Sequence, residues 1–123
     1  MAMTLGQKQR LFTRLTGLLI EFAYENGYEL TYGDAYRDPR AFGQVGEKRL
    51  YSSSNSVHKS RLAVDFNLFK DGKFLTSSED HRTLGEFWKT LHPDCCWGGD
   101  FKNSRGQPAP DGNHYSMEWQ GRK

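Results

Sequence analysis

The chain has 123 residues and a net charge of +2, with 36% hydrophobic and 14% aromatic residues. This length suits one domain over residues 1–123 and is too short for a catalytic domain plus a separate binding domain. The small charge, with no dense run of Lys and Arg, gives no reason to expect a nucleic-acid partner. No segment approaches the roughly 18 apolar residues of a membrane span, so we expect none. We also expect the protein to be a monomer.

The N-terminal part of the chain predicts an amphipathic helix over residues 5–26. Thr4 can cap its start, and Asn26-Gly27 is a natural stop. Apolar residues recur along this segment at steps of three and four, namely Leu11, Phe12, Leu15, Leu18, Leu19, Phe22 and Ala23. The alternating segment 28–32 then predicts a strand.

A long loop is expected over residues 38–57, because this segment is rich in proline, glycine and serine. A loop of this length in so small a domain is often functional. Residues 62–69 predict a core strand. Asp71-Gly72 predicts a tight turn into a short partner strand at 73–75.

The rest of the chain completes a mixed fold. Residues 79–91 predict a second helix, residues 97–101 and 114–119 predict strands, and residues 102–113 predict a polar loop. The thirteen glycines also indicate many turns. The expected class is therefore α+β, with helices packed on a small, mainly antiparallel sheet in a single domain.

Several conspicuous side chains have structural interpretations. Adjacent cysteines rarely form a disulfide, so Cys95 and Cys96 are predicted to be free, with at least one buried. Their spacing is also unusual for a cysteine zinc site. His81 and His92 are predicted to face solvent or to cap the second helix. The aromatic side chains expected in the core are Trp88, Trp97 and Trp119.

His58, Asp65 and His114 form a candidate metal site, because two neutral imidazoles and one carboxylate can hold Zn²⁺ with its fourth position open. In a straight strand His58 and Asp65 would lie about 23 Å apart. They can share an ion only if the chain bends between them, through residues 59–61. Otherwise they are a surface histidine and a strand aspartate. A carboxylate at position 65, between Val64 and Phe66, is costly unless it is paired or metal-bound.

Asp111 precedes His114 by three residues and is a candidate general base. Taken alone, an aspartate next to Gly112 is more often a turn residue. Glu118 is a second candidate base, because on an alternating strand it would share a face with His114.

These segments resemble the zinc peptidases that cleave peptidoglycan stem peptides, a family that includes D-alanyl-D-alanine carboxypeptidases and phage L-alanyl-D-glutamate endopeptidases. Residues 56–65 resemble its Ser-x-His-x-x-Gly-x-Ala-x-Asp motif. Residues 97–101 and 111–115 are similar to its Trp-Gly-Gly-Asp and Asp-x-Pro-His-Phe blocks, and residues 35–37 to its Gly-Tyr-Arg block. Gln44 falls where the family often has glutamine. The blocks follow family order over about residues 30–118.

The resemblance implies residue roles in three groups. The zinc ligands would be His58, Asp65 and His114. The general base would be Asp111, and Arg37 would grip a substrate carboxylate or carbonyl. Ser56 and Gln44 would contact the substrate, a peptidoglycan stem peptide. Without the resemblance, Arg37 is predicted to form an ion pair at the surface.

The implied activity is hydrolysis of the stem peptide by zinc-activated water, at the L-alanyl-D-glutamate bond. The alternatives are a D-alanyl-D-alanine carboxypeptidase and a non-catalytic peptidoglycan-binding domain of the same fold. The short chain, which has no wall-binding module, looks like endolysins of phages that infect Gram-negative hosts. The first ten residues lack the hydrophobic region of a secretion signal, so we expect synthesis in the host cytoplasm and action in the periplasm.

Three positions depart from the family pattern. Arg61 replaces the glycine of the first motif, so the bend after His58 lacks glycine's conformational freedom. Asn113 replaces the proline before His114, and Ser116 stands where a glutamate is common. None of these changes removes a predicted ligand.

Overall fold

The first helix, α1, spans Leu5–Glu25 and confirms the prediction from the apolar stripe. The computed structural model describes residues 2–34 and 57–123. Thr4 and Gln7 form a reciprocal cap: Thr4 Oγ1 accepts from the Gln7 backbone N–H at 3.1 Å, and Gln7 Oε1 accepts from the Thr4 N–H at 2.9 Å. The helix ends at Asn26, and Gly27 follows with a φ of 82°. The cap and the left-handed glycine together satisfy polar groups that a helix leaves open at its ends.

Among the described residues the sheet has five strands, and their pairings are antiparallel. The strands are β1 Tyr28–Tyr32, β2 Ala63–Lys70, β3 Lys73–Leu75, β4 Cys95–Trp97 and β5 His114–Met117. Their order is β1-β2-β5-β4, and β3 pairs with β2 off this path. The second helix, α2, spans Arg82–Leu91. In the part of the chain that the structure describes, two α-helices packed on a small antiparallel sheet confirm the α+β class.

The β2–β3 hairpin turns at Asp71-Gly72, as predicted. Asp71 has a φ of 51° and Gly72 a φ of 76°. Two consecutive left-handed residues define the two-residue turn whose twist matches that of paired strands. The hairpin therefore sets the register in which Leu68 faces Leu75.

The core lies where the two helices meet the sheet. Phe12 of α1 meets Trp88 of α2 edge to face, with ring centroids 5.7 Å apart. Trp88 also contacts the ring of Tyr115 in β5, and its Nε1 donates to the backbone oxygens of Cys96 and Ser116. One tryptophan thus connects α1, α2, β4 and β5. Within the described ranges, neither helix has the length and apolarity needed to cross a bilayer.

Several element boundaries differ from the prediction. The strand expected at 97–101 is β4 at 95–97 followed by a 3-10 helix, Gly98–Asp100. The Trp97 ring lies where a Cβ at Gly85 or Gly99 would be. The predicted strand 114–119 ends at Met117, and the segment Glu79–His81 is 3-10 before α2 begins.

The predicted side-chain environments are correct in part. His81 is only 3% exposed, so its predicted contact with solvent is wrong, whereas half-buried His92 caps a turn by accepting from the Asp94 N–H. Trp119 is half-buried and packs at the edge of the core. The predictions confirmed are the buried tryptophans, Trp88 and Trp97, and the free cysteines, Cys95 and Cys96.

Candidate metal centre

Asp65 and His114 lie opposite each other on the paired strands β2 and β5. Cross-strand partners in an antiparallel pair have Cβ atoms about 4.5–5.5 Å apart, on the same face of the sheet. The structure places His114 Nδ1 3.5 Å from Asp65 Oδ1. Backbone pairing alone therefore brings together two side chains that are 49 positions apart in the sequence.

His58 reaches the same point from a 3-10 helix, Val57–Ser60. The Leu62 N–H donates to the Val57 oxygen at 3.0 Å, which closes the bend immediately before β2. Arg61 makes this bend with a φ of 57°, the left-handed conformation that glycine adopts most easily. The bend expected between His58 and Asp65 is thus present, with an arginine in a conformation typical of glycine.

The three side chains converge on one small volume. His58 Nε2 lies 3.2 Å from Asp65 Oδ1, and one ligand atom from each of the three residues lies within 4.8 Å of the others. The two imidazole rings are 5.0 Å apart, with their planes inclined by 74°. His58 is fully buried, His114 is 4% exposed and Asp65 is 9% exposed. The site is therefore a largely desolvated pocket of nitrogen and oxygen donors.

The surroundings keep the Asp65 carboxyl ionised. Burial raises its pKa, but hydrogen bonds from His114 and His58, together with the charges of these rings when protonated, outweigh burial. The net effect holds the pKa of Asp65 well below its usual range. A carboxylate flanked by two imidazoles is the protonation state that metal binding requires.

The residues present fit a zinc ion. Donors bound to tetrahedral zinc at about 2.0–2.1 Å lie about 3.3–3.4 Å from each other. The distances from Asp65 Oδ1 to His58 Nε2 and to His114 Nδ1, 3.2 and 3.5 Å, are close to that spacing. Two histidines and one carboxylate would leave one coordination position for a water molecule or substrate.

Asp111 is exposed and lies in the turn that leads into β5. Its backbone N–H donates to the Gly98 oxygen at 2.8 Å, and its backbone oxygen accepts from the His114 N–H at 3.0 Å. Trp97 Nε1 donates to the Gly112 oxygen at 2.7 Å. The Trp-Gly-Gly segment therefore holds the Asp111–His114 turn in place. Asp111 is not one of the three residues whose ligand atoms converge, and it is among the residues that line a neighbouring pocket.

Glu118, the second candidate base, does not join this cluster. Glu118 lies just beyond the opposite end of β5 from His114, and its backbone bonds to Asp94 and Lys8. Four residues of strand correspond to about 13 Å, so β5 separates Glu118 from His114. The remaining candidates, Arg37, Gln44 and Ser56, lie outside the described residues.

A buried His81–Tyr115 pair was not anticipated from the sequence. His81 Nδ1 lies 2.7 Å from Tyr115 Oη, and both side chains are almost completely buried. Burial lowers the pKa of His81 to about 4, although Asp80 opposes the shift, and burial raises the pKa of Tyr115. The sequence offered one indication that Tyr115 lies near the site, namely its position directly after the candidate ligand His114.

No protein-family model matches the chain, and a search of curated proteins finds no matching relative.

Proposed function

We propose that the protein is a zinc-dependent peptidase that hydrolyses peptidoglycan stem peptides, at the L-alanyl-D-glutamate bond, during phage-induced lysis. The observation that carries the proposal is the convergence of His58, Asp65 and His114 on one buried point. The order of the peptidase-like motifs along the chain supports the substrate class. The placement of Asp111 in a turn bonded to His114 supports the reaction class.

Each residue has a defined task in this proposal. His58, Asp65 and His114 would hold zinc, which supplies Lewis-acid activation of a water molecule near neutral pH. The Asp111 carboxylate would accept the proton released as water attacks the peptide carbonyl, and would return it to the leaving amine. Arg37 would bind a substrate carboxylate through its planar pair of N–H donors.

Metal binding can be tested without substrate. The purified chain should bind about one zinc per molecule, and zinc at 100 times its Kd should stabilise the fold by about 2.7 kcal/mol. Asp65→Asn and His114→Ala should abolish that stabilisation. His92→Ala and Asp71→Asn make comparable changes outside the site and should retain it.

Activity is tested on purified stem peptides, with product masses identifying the bond that is cut. Cleavage between L-alanine and D-glutamate, lost with a chelator and restored by zinc, is expected. Release of a terminal D-alanine instead would indicate the carboxypeptidase alternative. Zinc binding without hydrolysis of any stem bond would indicate a binding domain. Lysis of outer-membrane-permeabilised Gram-negative cells tests the endolysin role separately.

A further inference from the structure

Phe101, which is not one of the three candidate ligands, contacts one of them through its ring. The centroid of the Phe101 ring lies 5.1 Å from that of the His114 ring, and the two planes are inclined by 56°. This separation is within the range of attractive aromatic pairs, about 4.5–7 Å. Phe101 is half-buried, so its ring forms part of the wall beside this ligand.

The backbone of Phe101 is fixed at both of its polar groups. Its N–H donates to the Gly98 oxygen at 3.1 Å, and its own oxygen accepts from the Ala109 N–H at 2.8 Å. The same Gly98 oxygen accepts from the Asp111 N–H at 2.8 Å. One carbonyl group therefore connects the segment that carries Phe101 with the turn that leads into β5.

The chain between these two segments, residues 102–108, is a small hairpin whose ends form an antiparallel bridge. The Asn103 N–H donates to the Gln107 oxygen at 2.9 Å. Asn103 Oδ1 accepts from the N–H groups of Arg105 and Gln107, at 2.9 and 3.0 Å. An asparagine side chain bonded to the backbone two residues ahead stabilises a turn. The base of the hairpin, where Phe101 lies, is therefore held by bonds on both sides.

The His114 ring has to be held in one orientation if it is to bind an ion. An imidazole can rotate about two side-chain bonds, and the outer bond has broad energy wells. To serve as a ligand, His114 has to keep its Nδ1 near Asp65 Oδ1, from which it lies 3.5 Å away. The rings of His58 and Phe101 both contact the His114 ring, at centroid distances of 5.0 and 5.1 Å.

These two neighbours differ in what they offer a metal ion. His58 would itself be a ligand, whereas the phenyl ring of Phe101 has no atom that binds zinc. Phe101 can therefore contribute only through His114, by restricting rotation of the imidazole and by keeping water from that side of it. The affinity of a site falls in proportion to the fraction of molecules in which its ligands are correctly oriented.

From this contact we infer that Phe101 is a positioning residue for the metal centre, which holds the His114 imidazole in its ligating orientation. The inference rests on the metal binding of the proposed function and is independent of which peptide bond is hydrolysed. An aromatic pair contributes enough to reduce the correctly oriented fraction about three- to tenfold when it is lost.

The test measures the zinc Kd of the full chain by competition with a chromophoric chelator. Phe101→Leu should weaken zinc binding about three- to tenfold, because leucine keeps the apolar bulk and removes the ring. Phe101→Tyr retains the ring and should bind zinc within about twofold of the parent. Phe74→Leu is the matched control: it removes a ring contact of 5.3 Å with Phe69, away from the ligands, and should leave the zinc Kd unchanged.

A second measurement separates positioning from a general loss of stability. Urea unfolding of each variant with a chelator present gives the stability of the metal-free chain, and amide NMR spectra establish that the variants are folded before zinc is added. Because zinc then binds an already folded chain, a change in global stability does not enter its Kd. The rescue by Phe101→Tyr should therefore appear in the zinc affinity.

A zinc Kd that is unchanged in Phe101→Leu would overturn the inference and leave the proposed peptidase in place. An equal loss of affinity in Phe74→Leu would also overturn it, since the effect would not depend on contact with His114. A parent chain that binds no zinc would overturn both the metal centre and the role of Phe101. Zinc binding that depends on the Phe101 ring, without hydrolysis of any stem peptide, would support this role and contradict the peptidase.

Discussion

Asp65 on β2 and His114 on β5 are direct cross-strand partners, with Oδ1 and Nδ1 3.5 Å apart. The hydrogen-bonded ladder therefore positions two of the three candidate ligands without any loop rearrangement. The third, His58, depends on the short bend Val57–Ser60 and on the backbone conformation of Arg61. Substitutions that change the backbone conformation at this bend or at the turn before β5 should therefore change the metal affinity of the site and the stability of the fold.

Arg61 tests the bend. Its φ of 57° is unfavourable for a side chain with a Cβ, and worse for a β-branched one. Arg61→Val should lower the free energy of unfolding by about 1 kcal/mol or more relative to Arg61→Asn, because asparagine tolerates this region. Both substitutions remove the guanidinium, so the difference isolates the backbone. Urea unfolding measures it; equal stability would show that the left-handed bend is not needed.

Gly98 tests the turn before β5. A Cβ there would overlap the Asp111 backbone oxygen and lie 2.8 Å from the His114 Cβ. Gly98→Ala should destabilise the fold by about 1–3 kcal/mol and weaken zinc binding, because backbone atoms would have to shift. Gly17→Ala is the control: no atom lies within 4 Å, and alanine in mid-helix should stabilise by about 0.5–1 kcal/mol. A harmless Gly98→Ala would contradict the close packing.

His81 makes the stability depend on pH. Its folded pKa of about 4 lies below the ordinary 6.5, so the unfolded chain binds more protons between these values. Its contribution is complete above pH 6.5 and lost as pH falls towards 4, by up to roughly 3 kcal/mol. With a chelator present, urea unfolding of His81→Gln should show a shallower loss over this range than the parent. His92→Gln should show the same dependence of the unfolding free energy on pH as the parent. If His81→Gln also shows the parent dependence, His81 is not its source.

Lys8 joins α1 to the C-terminal part of the chain. It is only 8% exposed, and its Nζ donates to Asp94 Oδ2 at 2.6 Å and to the Glu118 oxygen at 2.8 Å. Lys8→Met should lower the free energy of unfolding by about 0.5–1.5 kcal/mol, because two partly buried acceptors lose a charged donor. Lys73→Met, on exposed β3, should change it by less than about 0.5 kcal/mol. Thermal or urea unfolding compares the two variants, and similar effects would show that the Lys8 contacts do not stabilise the fold.

Local patterns determined much of this fold. The apolar stripe and Thr4 predicted α1, and the core-strand segment 62–69 with Asp71-Gly72 predicted the β2–β3 hairpin, because periodicity and turn chemistry act over a few residues. The sequence also pointed to His58, Asp65 and His114 as one group. It indicated that a bend must intervene, since a straight strand would hold the first two apart.

Only the tertiary structure decided how these groups meet and what surrounds them. The register that pairs Asp65 with His114 and the burial of His81 against Tyr115 both depend on segments that are distant in sequence. The packing of the Trp97 indole ring likewise depends on Gly85 of α2, where a Cβ would overlap the ring. Such features are set by long-range packing and pairing, which no short window of residues contains.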